Sequence, residues 1–329
     1  MPSTSRRGAM KRIMFVALVV GLLFSLSNGA HAQSCSASAS AISFGSVSPI
    51  SRNAVSTTGT VIVTCTWPAN TFTRNVQVCL NLGGTSPRSL VNGANQMQYD
   101  LYQDAAHSLA WGSIYYGTTP ISLTLTKPGL GTTASTSVTI YGQIAPNQPT
   151  VPTVGNSSTT YTQNFGGGTT SINYGFYVFG APSCASLTSA AGTFAFSATA
   201  TVVNNCNISA TNVSFAATGV LSKALNATGS ITAQCTNGDG YRIALNGGAT
   251  SNVAARQMAR SGGGGTANYQ LYIDSAHTSA WGDGTSGTAM ATGIGTGNQQ
   301  VLNVYGVVPA QTSPVPGSYS DTITATISF

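Results

Sequence analysis

From residue 58 to 66 apolar and polar positions alternate, with Val61 and Val63 on one side of the pattern and Ile62 and Thr64 on the other. A period of two marks a half-buried β-strand. Similar short runs follow at 75–82, ended by Gly83-Gly84, and at 97–103, 137–144 and 159–165, while Ile42 and Phe44 lead into a turn at Gly45. The same order then repeats at Phe215, 229–236, 242–246, 269–273 and 301–307. It closes on 321–329, where Ile323, Ala325, Ile327 and Phe329 share one face. No stretch carries a sustained 3.6-residue period with helix caps. Short strands separated by Gly-rich turns predict an all-β chain of two tandem immunoglobulin-like β-sandwich domains.

The duplication is explicit in one motif. YxLYxDxAHxxAWG occurs at 99–112 and again at 269–282. Such self-similarity makes each copy a control for the other. Each copy yields about six strands, and the second runs out of chain at its sixth, whereas an immunoglobulin-like sandwich has seven. A missing last strand leaves an apolar groove and unpaired backbone groups, which a strand from another chain would cover. The expected acceptor groove of copy two is bordered by the run carrying Ile323, Ala325, Ile327 and Phe329.

Composition narrows the setting. Charged residues make up 5% of the 329-residue chain, Glu does not occur, and 42% hydrophobic content is enough to build cores. Four of the twelve basic residues (Arg6, Arg7, Lys11, Arg12) precede an apolar run at 13–26 and an Ala30-His31-Ala32 cleavage pattern. This reads as an export signal over 1–32. The formal charge of +6 then falls to about +2, which is no footprint for nucleic acid. Export into an oxidising compartment suits the six cysteines. The repeat pairs Cys35 with Cys65 and Cys206 with Cys235, leaving Cys79 for Cys184. Each loop of about 30 residues closed in this way is worth roughly 3–4 kcal/mol in the chain-entropy model.

Several further features carry a family resemblance. These are the opening Cys, Phe44-Gly45 before a turn, TGxVxVxCT at 58–66, the LYxD…WG block, a Tyr-Gly followed by Pro (Tyr141-Gly142 and Pro146; Tyr305-Gly306 and Pro309), and GxYxDTIxxTIxF at 317–329. Each copy thereby resembles the spore coat protein U domain, the subunit family of archaic chaperone–usher pili, over about 35–165 and 206–329. Copy one departs from the family pattern at its last strand. The resemblance implies a periplasmic chaperone that lends the missing strand, an outer-membrane usher, and an adjacent pilin subunit that replaces the lent strand. A donor also needs an extended segment ahead of its first Cys, and only Gln33-Ser34 separate the expected cleavage point from Cys35. The expectation is therefore a tip subunit, exported through the periplasm to the cell surface, with an adhesin domain at 33–203 and a pilin domain at 204–329. It would serve attachment to abiotic or host surfaces and biofilm formation. The alternative is a structural spore-coat or pilus-shaft protein.

If copy one works at a tip, its own groove must be filled. Residues 166–203 have no evident counterpart in copy two, and Phe194, Phe196, Ala198 and Ala200 alternate there as an intrinsic seventh strand would. Cys184 would tie the intervening loop to Cys79. Other differences between the copies are aromatic. Trp67 and Phe72 follow the second Cys where copy two has Thr-Asn-Gly-Asp-Gly, and Ile114, Tyr115 and Tyr116 follow Trp-Gly where copy two has Asp-Gly-Thr-Ser-Gly. Tyr174, Phe176, Tyr177 and Phe179 lie in the extra segment. These three loops are expected to cluster at the end of copy one remote from copy two, as an apolar surface. Two plainer readings stand beside this one: Trp67 covering the bottom of the sandwich, and 174–179 as a strand with half its aromatics inward.

Catalytic chemistry finds no foothold. Asp104 and His107 recur as Asp274 and His277, so their spacing belongs to the fold. Paired-carboxylate, nucleophile-elbow and phosphate-loop patterns do not occur, and the six Asp are scattered, so no enzyme activity, metal or cofactor is expected.

Overall fold

The computed structural model describes residues 33–329, and the expected export signal lies outside them. Among the described residues the regular structure is β-strand with five short 3-10 turns. Copy one comprises β1 (Ser34–Ala39), β2 (Ile42–Val47), β3 (Val55–Thr66), β4 (Asn75–Leu82), β5 (Arg88–Asn92), β6 (Asn95–Tyr102), β7 (Ile121–Thr126), β8 (Thr133–Ile144), β9 (Thr159–Phe165), β10 (Thr170–Tyr177) and β11 (Phe196–Val202). Copy two comprises β12 (Cys206–Ala210), β13 (Leu225–Cys235), β14 (Gly240–Leu245), β15 (Arg256–Arg260), β16 (Thr266–Tyr272), β17 (Ala291–Ile294), β18 (Gln300–Val308), β19 (Tyr319–Ser320) and β20 (Ala325–Ser328).

The first sandwich packs a sheet ordered β1-β3-β8-β6-β5-β9-β11-β2 on a sheet ordered β10-β4-β7. The second packs β12-β13-β18-β16-β15-β19 on β17-β14-β20. Strand for strand the two agree, except that copy two has neither a β11 nor a β2 counterpart. Alternation explains the cores: Val61, Val63 and Cys65 of β3 point inward and are buried, as are Ile231, Ala233 and Cys235 of β13. Trp111 and Trp281 occupy matching core positions, their indole N–H groups donating to the carbonyls of Leu80 (2.9 Å) and Ile243 (2.8 Å). Cys35 faces Cys65 and Cys206 faces Cys235 across paired strands, and Cys79–Cys184 joins β4 to the excursion between β10 and β11.

The shared Asp-x-x-His spacing builds a turn. Asp104 accepts from the backbone N–H groups of Ser108 and Leu109, and Asp274 from those of Thr278 and Ser279. His107 and His277, three residues on, take left-handed backbone conformations at φ 54° and 58°. Hydrogen bonds from Ser108 and Leu109 hold the Asp104 carboxyl below its ordinary pKa, and those from Thr278 and Ser279 do the same for Asp274.

Strands β1, β5 and β7 lie outside the runs named from the sequence, although β7 alternates cleanly at Ile121, Leu123 and Leu125 and was a usable signal. β1 is Ser/Ala-rich and β5 spans only five residues, so neither carries much apolar contrast. A further difference concerns 171–179. Thr170 pairs with Leu82 on β4 as Ala325 pairs with Leu245 on β14, so β10 is the counterpart of the chain's last strand. The segment peculiar to copy one therefore begins after Tyr177.

That segment ends in β11, which lies antiparallel to β9 and parallel to β2. Phe196, Ala198, Ala200 and Val202 point inward and are buried, and the residues between them are half-exposed. β2 lies close over β3 and β8, where Gly59 and Gly142 make room: a Cβ on them would sit 2.8 Å from Ile42 and 3.0 Å from Phe44.

The two sandwiches meet through the β8–β9 connection. Thr153 N–H donates to the Asn237 carbonyl (3.0 Å), the Thr153 hydroxyl donates to Asp239, and Asn156 exchanges hydrogen bonds with the Gly240 backbone at 3.1 and 2.6 Å. Arg52 donates to Asn298 (2.8 Å) and Asn205 to Ser48 (3.0 Å). Burial pushes the Asp239 carboxyl pKa up.

Because Ala198 is fully enclosed, Ala198→Asp places a charge between two sheets with no partner. It is expected to destabilise copy one by about 3 kcal/mol or more. Ser197→Asp, on the outward face, should leave the thermal midpoint within a few degrees; equal effects of the two in thermal unfolding would contradict the inward assignment of β11.

Candidate functional site

Where copy one has β11, copy two has a groove of about 890 Å³. One wall is 211–221, which has no regular structure, and the other is 313–323. The floor includes Ile231, Leu245, Met258, Tyr269, Leu271 and Val304. The reason 211–217 forms no strand is direct: β2 is hydrogen-bonded to β11 alone, and the counterpart of β2 has no such neighbour. Val213 and Phe215 still sit over Gly229 and Gly306, as Ile42 and Phe44 sit over Gly59 and Gly142. Ile42 and Phe44 are buried, whereas Val213 and Phe215 are only half-buried. The other wall is short too: β19 has two residues where β9 has seven. Tyr269 donates its hydroxyl to Asp321 (2.6 Å) at this wall, and burial drives the Tyr269 pKa far up.

Of the four residues expected to border the groove, Ile323 and Ala325 line it. Ile327 packs on the core from β20, and Phe329 lies past the end of that strand, half-exposed.

The aromatic residues of copy one divide into two places rather than one. Asn75 pairs with both Thr126 and Tyr177, so the loops after β3, β7 and β10 share one end. Phe72 (94% exposed) and Phe179 (92% exposed) project there, with Val178 beside them. Leu130 projects at the same end, fully exposed, in the turn between β7 and β8. Leu130 escaped the sequence reading, although an apolar residue inside Gly129-Leu130-Gly131 was a usable signal. Beneath them Trp67 is buried at 1% exposure, edge-on to Phe176 at 5.6 Å. Trp67 is thus a core residue, because the chain turns inward straight after β3, where the Trp67 backbone N–H donates to the Thr132 carbonyl (2.8 Å). Tyr174 and Phe176 pack against the same core, and Tyr177 is half-buried, so only Phe179 of that run projects freely.

Ile114, Tyr115 and Tyr116 correct the expected three-loop cluster. They precede β7, whose first residue Ile121 pairs with Leu80 near the other end of β4. Seven register steps separate the two ends of β4, about 23 Å. The three residues form one 3-10 turn capped by Ser113. Ile114 N–H bonds to Asn81 (3.0 Å), Tyr115 hydroxyl donates to Thr188 (3.0 Å), and Tyr116 lies over Gly83.

The shared end of Phe72, Leu130 and Phe179 is the one facing away from copy two. Arg52, which bonds to Asn298, precedes the Val55 end of β3, and the aromatic loops follow its Thr66 end, about 36 Å along the strand. The corresponding loops of copy two, 236–239 and 295–299, are polar and hold copy one.

The Spore Coat Protein U domain model matches residues 23–164 and 192–326. The chain belongs to the Spore Coat Protein U domain family. Protein U of Myxococcus xanthus is 36% identical over 110 residues, 31% of this chain, and the chain spans 59% of that relative's length. Among solved structures, the CsuC–CsuE chaperone–tip adhesion subunit pre-assembly complex from the archaic chaperone-usher Csu pili of Acinetobacter baumannii matches with a TM-score of 0.50 at 18% identity. The alignment covers 90% of this chain and all of that one. At that identity the likeness establishes the fold, and it extends across both spore coat protein U domains.

Opposite burial of neighbouring aromatics separates their expected roles. Trp67→Ala is expected to cost about 3–5 kcal/mol, and Phe72→Ala to stay within about 0.5 kcal/mol of the parent. Denaturant unfolding of the two variants measures both, and a destabilising Phe72→Ala would return that residue to a packing role.

Proposed function

We propose that the protein is a subunit of a chaperone–usher pilus that takes a strand from a partner into copy two and attaches through the far end of copy one. The observation that carries the reading is the contrast between two homologous grooves, one closed by β11 of the same chain and one left open. An open groove with unpaired walls is an aggregation hazard unless a strand occupies it, and strand addition satisfies both its backbone and its apolar floor. A periplasmic chaperone is the first donor and an adjacent pilin subunit the lasting one, with an outer-membrane usher managing the exchange. Membership of the family, and the shared two-domain fold with a chaperone-bound tip subunit, support this order. Copy one needs no donor, so it ends the assembly, and its far end is free.

Phe72, Leu130 and Phe179 project from that end and offer apolar side chains to a flat surface without a pocket, with the exposed Arg74 beside them. Burying apolar area yields about 25 cal/mol per Å² whatever the chemistry beneath. Abiotic surfaces and apolar host surfaces both fit, and attachment of this kind leads to biofilm formation.

Two measurements test the two halves. Appending a turn and the 193–203 sequence after Phe329 is expected to raise the thermal midpoint by about 5 °C or more and to abolish binding of an apolar dye. No change in either would sink the acceptor reading. Separately, cells carrying Phe72→Ser, Leu130→Ser and Phe179→Ser together should keep their pili but lose most attachment to polystyrene, and Tyr115→Ser with Tyr116→Ser should attach normally. Undiminished attachment of the triple variant rules out the proposed surface.

A further inference from the structure

The floors of the two grooves are not the same size, and the difference lies in one row. In copy one Ala198 of β11 stands between Gln163 of β9 and Ile42 of β2. Val91 pairs with Thr162, which sets Leu90 beside Gln163, and Leu90 pairs with Met97. The row therefore runs Met97, Leu90, Gln163, Ala198, Ile42. In copy two Met258 pairs with Ala267, and the pairing of Ala259 with Ser320 sets Met258 beside Asp321. Val213 takes the place of Ile42 over its glycine. The matching row is Ala267, Met258, Asp321, an empty position, and Val213, and all four residues line the groove.

Met97 has become Ala267, Gln163 Asp321 and Ile42 Val213. The row is lighter by about five side-chain heavy atoms, roughly one leucine side chain, and unfilled space of that kind is costly in a packed interior. The next inward position differs. There Ala200 stands opposite Tyr161, and copy two keeps a tyrosine, Tyr319, beside a retained phenylalanine, Phe215 for Phe44.

Resting on the acceptor reading, we infer that the groove of copy two selects a partner strand with a large aliphatic residue where copy one has Ala198 and a small one where it has Ala200. The strand runs parallel to the Val213–Phe215 wall and antiparallel to the Tyr319 wall, as β11 does between β2 and β9. The same mismatch makes β11 itself a weaker occupant than a donor carrying the larger residue, so such a donor outcompetes a strand freed from copy one of a second molecule. Copy two thereby discriminates a foreign donor from its own chain's strand.

The test uses the full chain and three synthetic peptides of residues 193–203: the natural sequence, Ala198→Leu and Ala200→Leu. Fluorescence anisotropy reads their affinities. The Ala198→Leu peptide is expected to bind about tenfold or more tighter than the natural one, and the Ala200→Leu peptide no tighter. In a full chain carrying Ala267→Met, which restores the side chain of Met97, the advantage of the Ala198→Leu peptide should disappear. Equal binding of all three peptides, or an equal gain from both leucines, overturns the size selection and leaves the acceptor reading standing. Binding by none of them overturns the acceptor reading, and the selection with it.

Discussion

A buried backbone amide must find a carbonyl, and this molecule is organised around the one row of such groups that its second half leaves open. In copy one β11 lies between β2 and β9, donating and accepting along both. It turns 42–47 into a strand and lets Phe196, Ala198, Ala200 and Val202 close the core. Without that strand, copy two keeps the floor but its walls lose their strands: 211–217 forms no strand and β19 shrinks to two residues. One absent strand thus accounts for the groove and for the half-exposure of Val213 and Phe215.

The same scaffold is used differently at its ends. In copy two the turns after β13 and β17 are polar: Asn237, Asp239 and Gly240 hold the β8–β9 connection, and Asn298 accepts from Arg52 of the β2–β3 connection. In copy one the corresponding turns carry the exposed Phe72 and Leu130, joined by Phe179 from the segment peculiar to that copy, and the first of them is held by Gln33, which donates to Thr71 and Thr73. Polar side chains serve where one sandwich is held on another by directed hydrogen bonds. Apolar ones stand where the end is free.

Sequence reading reached the class of fold because the signals for it are local and doubled. Alternation in β3, β4, β9 and β20 is visible in single runs, and the YxLYxDxAHxxAWG motif marks the same turn and the same buried tryptophan in each copy. It reached less of the candidate surface. Trp67 and Phe72 lie in one loop with similar chemistry, yet one is enclosed and the other almost fully exposed. Ile114 to Tyr116 look as exposed in sequence as Phe179, but they lie at the opposite end of β4. Leu130 carries no aromatic signal, and only its projection from the β7–β8 turn marks it.

What the sequence determined alone is therefore what a strand's own side chains decide: its period, its face and the repetition of the motif. Which turns share an end depends on how β4, β7 and β10 pair, and which aromatics point outward depends on what the opposite sheet already fills. The size of the groove's central row is set by Ala267, Met258, Asp321 and Val213, residues drawn from four separate segments of the chain. No window of sequence contains that row, because cross-strand register, a property of the folded chain, brings its members together.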